Sequence, residues 1–496
     1  MSVTAPGFER ALATCAAEPI HIIGAIQPSG VLLAWQASTG KVVAASRNAA
    51  ALFEMDSAEG IVGQPVQHFI DETTMDAVRR ALQVRDPRTA VFAGLTNAGP
   101  MGELHEVATH QDGDLVHVEL EPAASMELPG DVHLAVAALE ADGSVDQLLQ
   151  SLAQSVQRLS GFSRVMVYRF LRDHCGEVLA EAIDGPLPSY LGLRYPASDI
   201  PPQARALYLR NPVRVISDVG AEPVPVVCDA SLDGPLDMSL DALRAVSPVH
   251  LQYLRNMGVT ASMSISLVVD GRLWGLVACH HHAPRHVGAR MRQALQMLGR
   301  HAAMILDARD LRSSVRREDQ LAEHRDQLER VLHHARDPLQ ALGSQLDLAA
   351  AATGVDGAAL YVDGRWIGWG SLPDTGGLAQ ALAWAQQRSR TEPSFSQRGA
   401  DWCEEVQPAA CGLAVLPLAA RDSGWLMLFR REQRETVRWA GRPDQPFQVD
   451  ADGAHIGPRT SFAAWEEQVR GCAGPWSERD VERARRLRLV VDRYLR

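Results

Sequence analysis

The sequence lacks the features that would export the protein or place it in a membrane. No apolar run in its 496 residues approaches the ~18 residues that span a bilayer. The N-terminal stretch has no basic region followed by an apolar segment. Acidic residues outnumber basic ones by 60 to 48, and the net charge of −12 argues against general affinity for nucleic acids or anionic membranes. We therefore expect a soluble, cytoplasmic protein that binds a small molecule or another protein.

Cysteine is scarce, and its spacing shows no pairing. The seven cysteines are scattered without a C-x-x-C pair, so the sequence predicts neither a disulfide framework nor a zinc knuckle. We expect free thiols in a reducing compartment. One of them, Cys15, precedes the first predicted module, where a lone cysteine is more often inert than functional.

The histidine-rich stretch ACHHHAP (278–284) suggests a metal site, but its pattern does not support one. Along a strand, Cys279 and His281 point to one face while His280 and His282 point to the other. Four adjacent residues therefore cannot close a tetrahedral shell around an ion. We expect no metal here, and at most one or two of these imidazoles to face an interior.

The stretch HHARDPLQ (333–340) resembles the phosphoacceptor box of sensor histidine kinases, with His334 as the acceptor. A kinase also needs a nucleotide-binding domain, and the remaining residues show neither a Gly-rich lid nor an Asn-bearing helix. We interpret the box as a chance match at the point where Pro338 ends a helix. The sequence predicts no enzyme activity for this chain.

Length and pattern predict about three domains, at ~100–200 residues each. The N-terminal part, with GVLLAWQASTGKVVAAS and DVHLAVAAL as strands and DAVRRALQV as a helix, suggests a small antiparallel α+β module. The second module begins with an amphipathic helix and ends with two strands joined at Asp270-Gly271, a hairpin signal. SGFSRVMVY (160–168) is echoed by TGVDGAALY (353–361), so modules two and three are predicted to share one fold.

A long helix is predicted between these two modules. Residues 289–337 contain no proline and one glycine. The apolar positions step by four and three, as in a coiled-coil seam: Met291, Leu295, Leu298, Ala302 and Ile305. Because the helix is far longer than the usual ~8–20 residues, we expect a spine that links two domains and forms a dimer contact. The alternative is two packed helices with a kink near RSSVRRED.

The stretch RYPASDIPPQARALYLRNPVR (194–214) predicts the start of a helix. Asp199 stands where an N-cap is expected, and Pro201 and Pro202 fall in the first turn, where a missing N–H costs little. Capping alone would explain these residues.

Six stretches together carry a family resemblance. CAAEPIHIIGAIQPSG, YPASDIPPQARALYLRNPVR, SPVHLQYLRNMGVTASMSIS, RLWGLVACHH, VRWAGRP and GPRTSF…WEE resemble, in order and approximate spacing, the photosensory core of bacterial phytochromes over essentially the whole chain. The resemblance implies an α+β fold of three modules, PAS, GAF and PHY, each with a central antiparallel sheet and joined by a helical spine. A PHY hairpin, the tongue, would reach back to the GAF pocket. The implied boundaries are 1–125, 126–315 and 316–496, with the tongue at about 435–475.

The resemblance also implies a covalently bound linear tetrapyrrole, biliverdin IXα. Cys15 matches the thiol that forms a thioether with the ring A vinyl group. Arg214 and Arg244 match the arginines that bind the two propionates, for which forked guanidiniums are well suited. Ser262 and Ser264 are similar to the hydroxyls that assist them.

Further residues resemble those that contact the pyrrole rings. Asp199 would present its backbone carbonyl to the pyrrole N–H groups with the help of His250, because a buried bilin cation needs polar partners. His280 matches the hydrogen-bond partner of the ring D carbonyl. The residues expected to line the ring D cavity are Tyr168, Tyr195 and Tyr253.

A light-driven switch is part of the implied mechanism, because isomerisation between rings C and D would rotate ring D. In the tongue, Arg459 is expected to pair with the Asp199 carboxylate in the red-absorbing state, and Ser461 to replace it in the far-red-absorbing state. Trp439 and Trp465 resemble the tryptophans that exchange places as the tongue refolds.

The function expected from the resemblance is a red/far-red photoreceptor that forms a homodimer through its spine. It would signal to a downstream output domain or response regulator, such as a histidine kinase, outside this chain. The alternative is a light-independent GAF-type sensor of a small ligand, which leaves Cys15, Asp199 and Arg459 unexplained. The chain departs from the family at Ile22-Ile23-Gly24, where Ile-Pro-Gly is usual, and at Tyr195, where many members have Phe.

Overall fold

The computed structural model describes residues 18–83, 90–123, 131–141, 143–419, 424–442, 462 and 464–495. Cys15, Arg459 and Ser461 lie outside the described residues. The chain divides into two compact units, Met1–Arg309 with Arg438–Trp465 and Asp310–Val437 with Glu466–Arg496. The fold is mixed α+β, as predicted, and within the described ranges no helix has the length and apolar character needed to cross a membrane.

The N-terminal module is antiparallel α+β. Its described strands are β1 (Ala25–Ile26), β2 (Val31–Gln36), β3 (Val42–Ser46), β4 (Val91–Ala98), β5 (Glu103–Asp112) and β6 (Leu115–Pro122). Its described helices are α1 (Ala49–Leu52), α2 (Glu72–Leu82) and α3 (Asp131–Ala141). The predictions for β2, β3 and α2 are confirmed. The prediction of a strand at DVHLAVAAL is wrong, because Val132, Ala135, Val136 and Leu139 turn to one side of a helix and pack on the next module.

The second module begins with the predicted amphipathic helix, which carries a capping box at Ser144 and Gln147. Its helices are α4 (Val145–Ser160), α5 (Pro202–Arg210), α6 (Pro248–Asn256) and α7 (Ala289–His334). Its strands are β7 (Arg164–Phe170), β8 (Gly176–Ile183), β9 (Leu193–Tyr195), β10 (Val213–Ile216), β11 (Val224–Cys228), β12 (Ala261–Val269) and β13 (Arg272–His281). The hairpin between β12 and β13 is confirmed, with positive φ at both Asp270 and Gly271.

The third module carries the remaining elements. Its described helices are α8 (Pro338–Ser344), α9 (Leu346–Thr353), α10 (Thr375–Gln386) and α11 (Glu478–Tyr494). Its described strands are β14 (Gly357–Val362), β15 (Arg365–Gly370), β16 (Ser394–Ser396), β17 (Gly412–Pro417), β18 (Trp425–Arg430), β19 (Glu435–Ala440) and β20 (Ala464–Val469).

Sheet topology confirms that the second and third modules share one fold. Within the described residues the sheets have the orders β1-β11-β3-β2-β6-β5-β4, β10-β12-β13-β7-β8-β9-β19-β20 and β15-β14-β18-β17-β16. The core of the second sheet is β10-β12-β13-β7-β8, and the third sheet is β16-β17-β18-β14-β15. If the five strands of each are numbered by their order in the chain, both sheets have the same spatial order, 3-4-5-1-2. The echoed stretches 160–168 and 353–361 lead into the equivalent strands β7 and β14.

The N-terminal segment is hydrogen-bonded to two stretches of the second module. On one side, β1 pairs antiparallel with β11. On the other side, the backbone N–H of Gln27 donates to the carbonyl of Leu243 at 2.7 Å, and that of Ala245 donates to the carbonyl of Ala25 at 2.9 Å. The segment therefore runs between residues 224–228 and 243–245, which places strands of the first module against the loop that precedes α6.

The long helix is confirmed, but its apolar seam packs inside the second module and does not form the predicted dimer contact. α7 is a single helix of 46 residues, which excludes two helices with a kink at RSSVRRED. Met291, Leu295, Leu298 and Ala302 are buried in the core of the second module, with Ile305 packed against it. The predicted coiled-coil seam therefore covers the sheet of its own module. α7 ends at His334 and Pro338 begins α8, so the kinase-like box is a helix junction.

Candidate functional site

Alternation along four neighbouring strands assembles one face of the site. β10 pairs with β12 so that Arg214 lies opposite Ser264, and β12 pairs with β13 so that Ser262 lies opposite His280. β13 pairs with β7 at Leu276 and Tyr168. The even-numbered side chains of these strands share one face, while odd-numbered neighbours such as Cys279 lie in the hydrophobic core. The predicted separation of Cys279 from His280 is therefore confirmed.

This face forms one wall of a cavity, and the other walls come from β9, α5 and α6. The structure brings most of the predicted site residues to that cavity: Tyr168, Tyr195, Asp199, Arg214, His250, Tyr253, Ser262, Ser264 and His280. Apolar residues that sequence reasoning did not name complete the lining: Met166, Val178, Ile200, Ile216, Leu254, Met257, Met263, Leu276 and Ala278. The cavity thus has an apolar body with a few convergent polar groups, as ligand sites usually have.

Asp199 does not cap the helix that follows it, so that prediction is wrong. It ends a short 3-10 turn, Ala197–Asp199, and α5 begins at Pro202 with Pro201 in the N-cap position. Prolines disfavour helical backbone in the residue before them, so the double proline delays the start of the helix. The Asp199 carboxylate instead accepts a hydrogen bond from the Tyr253 hydroxyl at 3.0 Å.

Aromatic rings surround this carboxylate. The imidazole of His250 stacks on Tyr253, with ring centroids 6.1 Å apart and an interplanar angle of 12°. Phe462 contacts Tyr253 edge to face, with ring centroids 5.2 Å apart. Phe462 belongs to the quoted stretch GPRTSF, but sequence reasoning gave it no role. Phe462, the residue after Ser461, therefore contacts Tyr253, which is hydrogen-bonded to Asp199.

Two arginines, Arg244 buried and Arg214 partly exposed, lie side by side without a carboxylate partner among the described residues. Arg214 donates to the backbone carbonyls of Ala242 (3.1 Å), Arg244 (2.5 Å) and Ala245 (2.9 Å). Arg244 is 4% exposed and donates only at 3.3 Å or more, to Met238 and Ser239. Within the described part of the chain, neither guanidinium is within 4.0 Å of a carboxylate oxygen.

Burial makes these cations costly. It holds the pKa of Arg214 well below its usual value, with the charge of Arg244 as the second cause. Burial also lowers the pKa of Arg244, to about 10. An anion at this end of the cavity would compensate both charges. Arg214 lines the cavity, whereas Arg244 is not among its lining residues and lies in the loop whose carbonyls accept hydrogen bonds from Arg214.

The two cavity histidines are neutral. Burial lowers the pKa of His250 to about 4 and that of His280 to about 3, and neighbouring positive charges contribute to both shifts. The Nδ1 atom of His280 is buried without a hydrogen-bond partner among the described residues. A neutral imidazole can donate one hydrogen bond and accept one, so His280 is suited to a polar group of a ligand.

Tyr208 is a further polar residue that sequence reasoning missed. It lies on α5 and lines the cavity, where Ser264 is a polar neighbour. Burial raises the pKa of its phenol above the usual value. Its place on the predicted helix shortly before Arg214 was the available signal.

The two tryptophans lie in strands that extend the sheet beside the cavity. β19 runs parallel to β9, with Trp439 opposite Arg194. Ala440 is buried in a cluster with Tyr168 and Tyr195. Trp465, in β20, lies under the guanidinium of Arg442 at 5.6 Å. Both tryptophans are partly exposed. Through Ala440, the end of the predicted tongue's first strand contacts residues that line the site.

Comparisons with known proteins agree with this architecture. The chain matches three family models: a PAS fold (15–123), a GAF domain (144–306) and a phytochrome region (321–495). It is 35% identical to a bacteriophytochrome of Pseudomonas aeruginosa over 96% of this chain, and spans 66% of that relative, just under two thirds of its length. It is 34% identical to a bacteriophytochrome of Xanthomonas campestris, over 97% of this chain and 78% of the relative.

A solved structure shows the same fold over nearly the full chain. The structure of a bacteriophytochrome from the photosynthetic bacterium R. palustris superimposes with a TM-score of 0.81 at 31% sequence identity. The match covers 97% of this chain and 99% of that one.

Proposed function

The chain belongs to the phytochrome family as a bacteriophytochrome photosensory core, and from that premise we propose that it is a red/far-red photoreceptor that binds biliverdin IXα covalently. The observation that carries the proposal is a pair of neighbouring arginines: Arg214, which lines an apolar cavity, and Arg244, which is buried next to it in the chain fold. Biliverdin has two propionates, and two guanidiniums without a carboxylate partner suit them.

The polar residues of the cavity can hold the remaining parts of the pigment. Arg214 would bind one propionate together with Ser262 and Ser264, and Arg244 would bind the other. The backbone carbonyl of Asp199 would accept hydrogen bonds from pyrrole N–H groups, with His250 beside it. Neutral His280 would donate to the ring D carbonyl.

The aromatic residues of the cavity suit a ring that must be held and also turned. Bound biliverdin supplies the absorption of light and the isomerisation between rings C and D. Tyr168 and Tyr195 lie 5.9 Å apart and are both buried, and with Tyr253 they would enclose ring D. Cys15 would anchor the pigment by a thioether bond, for which a thiolate is the nucleophile.

The Asp199 carboxylate is the proposed contact between pigment and tongue. Tyr253 is one of its hydrogen-bond partners. Arg459 would pair with it in the red-absorbing state and Ser461 in the far-red-absorbing state. Trp439 and Trp465 would change places as the tongue refolds, and α7 would carry the result to an output domain or response regulator.

We place the homodimer contact on α7, on a stripe other than the predicted seam. Met297, Met304 and Leu311 repeat every seven residues and are 64%, 70% and 61% exposed. A heptad repeat of exposed apolar residues on a long helix is typical of a helix that pairs with a second one.

Reconstitution with biliverdin tests the proposed function. We expect a red or far-red absorption band that changes reversibly under light. After denaturation the pigment should stay attached to the wild type and be lost from Cys15→Ala, as judged by gel fluorescence of the pigment. Cys228→Ala removes an exposed thiol and should leave attachment intact. No photoreversible band in the wild type would refute the proposal, and retained pigment in Cys15→Ala would refute the choice of thiol.

The arginine–propionate pairing is tested by changing both partners. In a Cys15→Ala background, where binding is reversible, Arg214→Lys should weaken biliverdin binding about tenfold, or ~1.4 kcal/mol, because lysine lacks the fork. With Arg214 present, biliverdin dimethyl ester should bind more weakly than biliverdin by a similar factor. With Arg214→Lys, the ester should bind only slightly more weakly than it does with Arg214. Affinity is measured by absorbance titration, with Arg272→Lys on an exposed strand end as control. Additive losses would contradict direct pairing.

Substitution of Asp199 tests the switch. Asp199→Ala should leave the pigment bound but give brighter fluorescence and a several-fold lower yield of photoconversion, measured by absorption after red illumination. Tyr253→Phe removes one hydrogen bond, worth about 1 kcal/mol, and keeps the carboxylate, so it should retain most of the conversion. Asp233→Ala, at an exposed position, is the matched control. Normal photoconversion of Asp199→Ala would contradict this role.

A charge on the exposed stripe tests the dimer. Met304→Glu should convert the protein to a monomer in light scattering after size exclusion, because a buried carboxylate without a partner is costly. Leu134→Glu changes a residue on α3 that is 66% exposed and should leave the dimer unchanged. A Met304→Glu dimer of undiminished stability would place the contact elsewhere.

A further inference from the structure

A second polar cluster lies away from the cavity, beneath the sheet of the first module. His110 is in β5, His117 is in β6, and Asp241 lies in the loop between β11 and α6. The three residues are 5%, 1% and 0% exposed. One ligand atom from each lies within 4.8 Å of the others, which makes this a group of potential metal ligands that no step of the proposed photochemistry uses.

The strand pairing fixes the two imidazoles side by side. His110 lies directly opposite His117 in the antiparallel pair β5·β6. The ring centroids are 4.4 Å apart and tilted by 35°. Because the cross-strand register sets this spacing, both rings reach the same side of the sheet at the same depth.

The carboxylate is held in place by its own loop. The backbone N–H groups of Ala242 and Leu243 donate to Glu119 of β6 at 3.1 and 2.6 Å. Glu121 of the same strand pairs with Arg292 through two hydrogen bonds of 2.7 and 2.5 Å. These carboxylates are occupied, whereas Asp241 is turned toward the histidines.

The contacts within the cluster leave imidazole nitrogens without a hydrogen-bond partner among the described residues. The Nδ1 atom of His117 lies 3.1 Å from both oxygens of Asp241. The Nδ1 atom of His110 faces the same carboxylate at 3.7 Å, beyond hydrogen-bond distance, and has no hydrogen-bond partner among the described residues. A buried polar nitrogen without a partner is costly.

We propose that His110, His117 and Asp241 bind one divalent transition metal ion, with Zn²⁺ as the best fit. Imidazole nitrogen and carboxylate oxygen are common zinc ligands, at about 2.0–2.2 Å. Tetrahedral geometry at these distances places ligand atoms roughly 3.4 Å apart, close to the observed 3.1 and 3.7 Å. The fourth position is left to a water or to the second oxygen of Asp241.

The ion would act as a structural cross-link. It would join β5 and β6 of the first module to the loop whose carbonyls accept hydrogen bonds from Arg214. The site does not depend on the proposed pigment, and ACHHHAP, where no metal was expected, is a different part of the chain. Sequence reasoning missed the cluster because Asp241 is 124 residues from His117.

Metal content of the full chain tests the site. Protein saturated with Zn²⁺ and dialysed against a weak chelator should retain about one ion per chain by mass spectrometry. His110→Gln and Asp241→Asn should each retain less than about a tenth of that. The matched control is His105→Gln, a buried histidine of the same strand whose Nδ1 contacts the backbone carbonyl of Glu103 at 2.9 Å, and it should keep the full content.

X-ray absorption at the zinc edge gives a readout that does not depend on how the variants fold. The wild type should show nitrogen or oxygen ligands at about 2.0–2.1 Å, two of them imidazoles, and no sulfur. Zinc that persists in His110→Gln, or a thiolate ligand, would overturn the proposal and assign binding to another site, such as His281 and His282. No retained zinc in the wild type would also overturn it and leave a His117–Asp241 ion pair with a stacked His110.

Discussion

The site depends on the hydrogen bonds that the Arg214 guanidinium donates to the carbonyls of Ala242, Arg244 and Ala245. These bonds fasten strand β10 to a loop that has no regular structure of its own. Glu119 holds the loop from the first module, and the N-terminal segment holds it at Leu243 and Ala245. Arg244 is placed by the same loop, so both cations are positioned by one set of contacts that spans two modules.

Strand alternation shapes the sheet wall of the cavity, and the double proline shapes the wall formed by Asp199 and α5. Alternation turns Ser262, Ser264 and His280 into the cavity and odd-numbered neighbours such as Ile265 and Cys279 into the core, so each strand contributes to both the cavity and the core. Pro201 and Pro202 delay the start of α5, so Asp199 does not cap this helix. The Asp199 carboxylate accepts a hydrogen bond from the Tyr253 hydroxyl instead. His250, His280 and the Arg214 guanidinium then supply polar groups to a cavity whose other walls are mostly apolar.

The long helix shows where periodicity is informative and where it misleads. Its length and continuity could be predicted, because a run without proline and with a single glycine has nothing to interrupt it. The use of its apolar seam could not, because periodicity indicates that a face is buried and not which surface buries it. The error at DVHLAVAAL has a related cause: a short apolar run fits a strand or a helix, and packing against the neighbouring module selects the helix.

By itself, the sequence determined the α+β class, the repeat of one fold in the second and third modules, the hairpin at Asp270-Gly271 and nine of the residues that line the cavity. Local pattern and family motifs are sufficient for these, because each is encoded within a short stretch. Tertiary structure alone decided the hydrogen bond from Tyr253 to Asp199, the carbonyl partners of Arg214, the role of Tyr208 and the cluster of His110, His117 and Asp241. These contacts join residues tens to more than a hundred positions apart, and only the packed chain sets the distances between them.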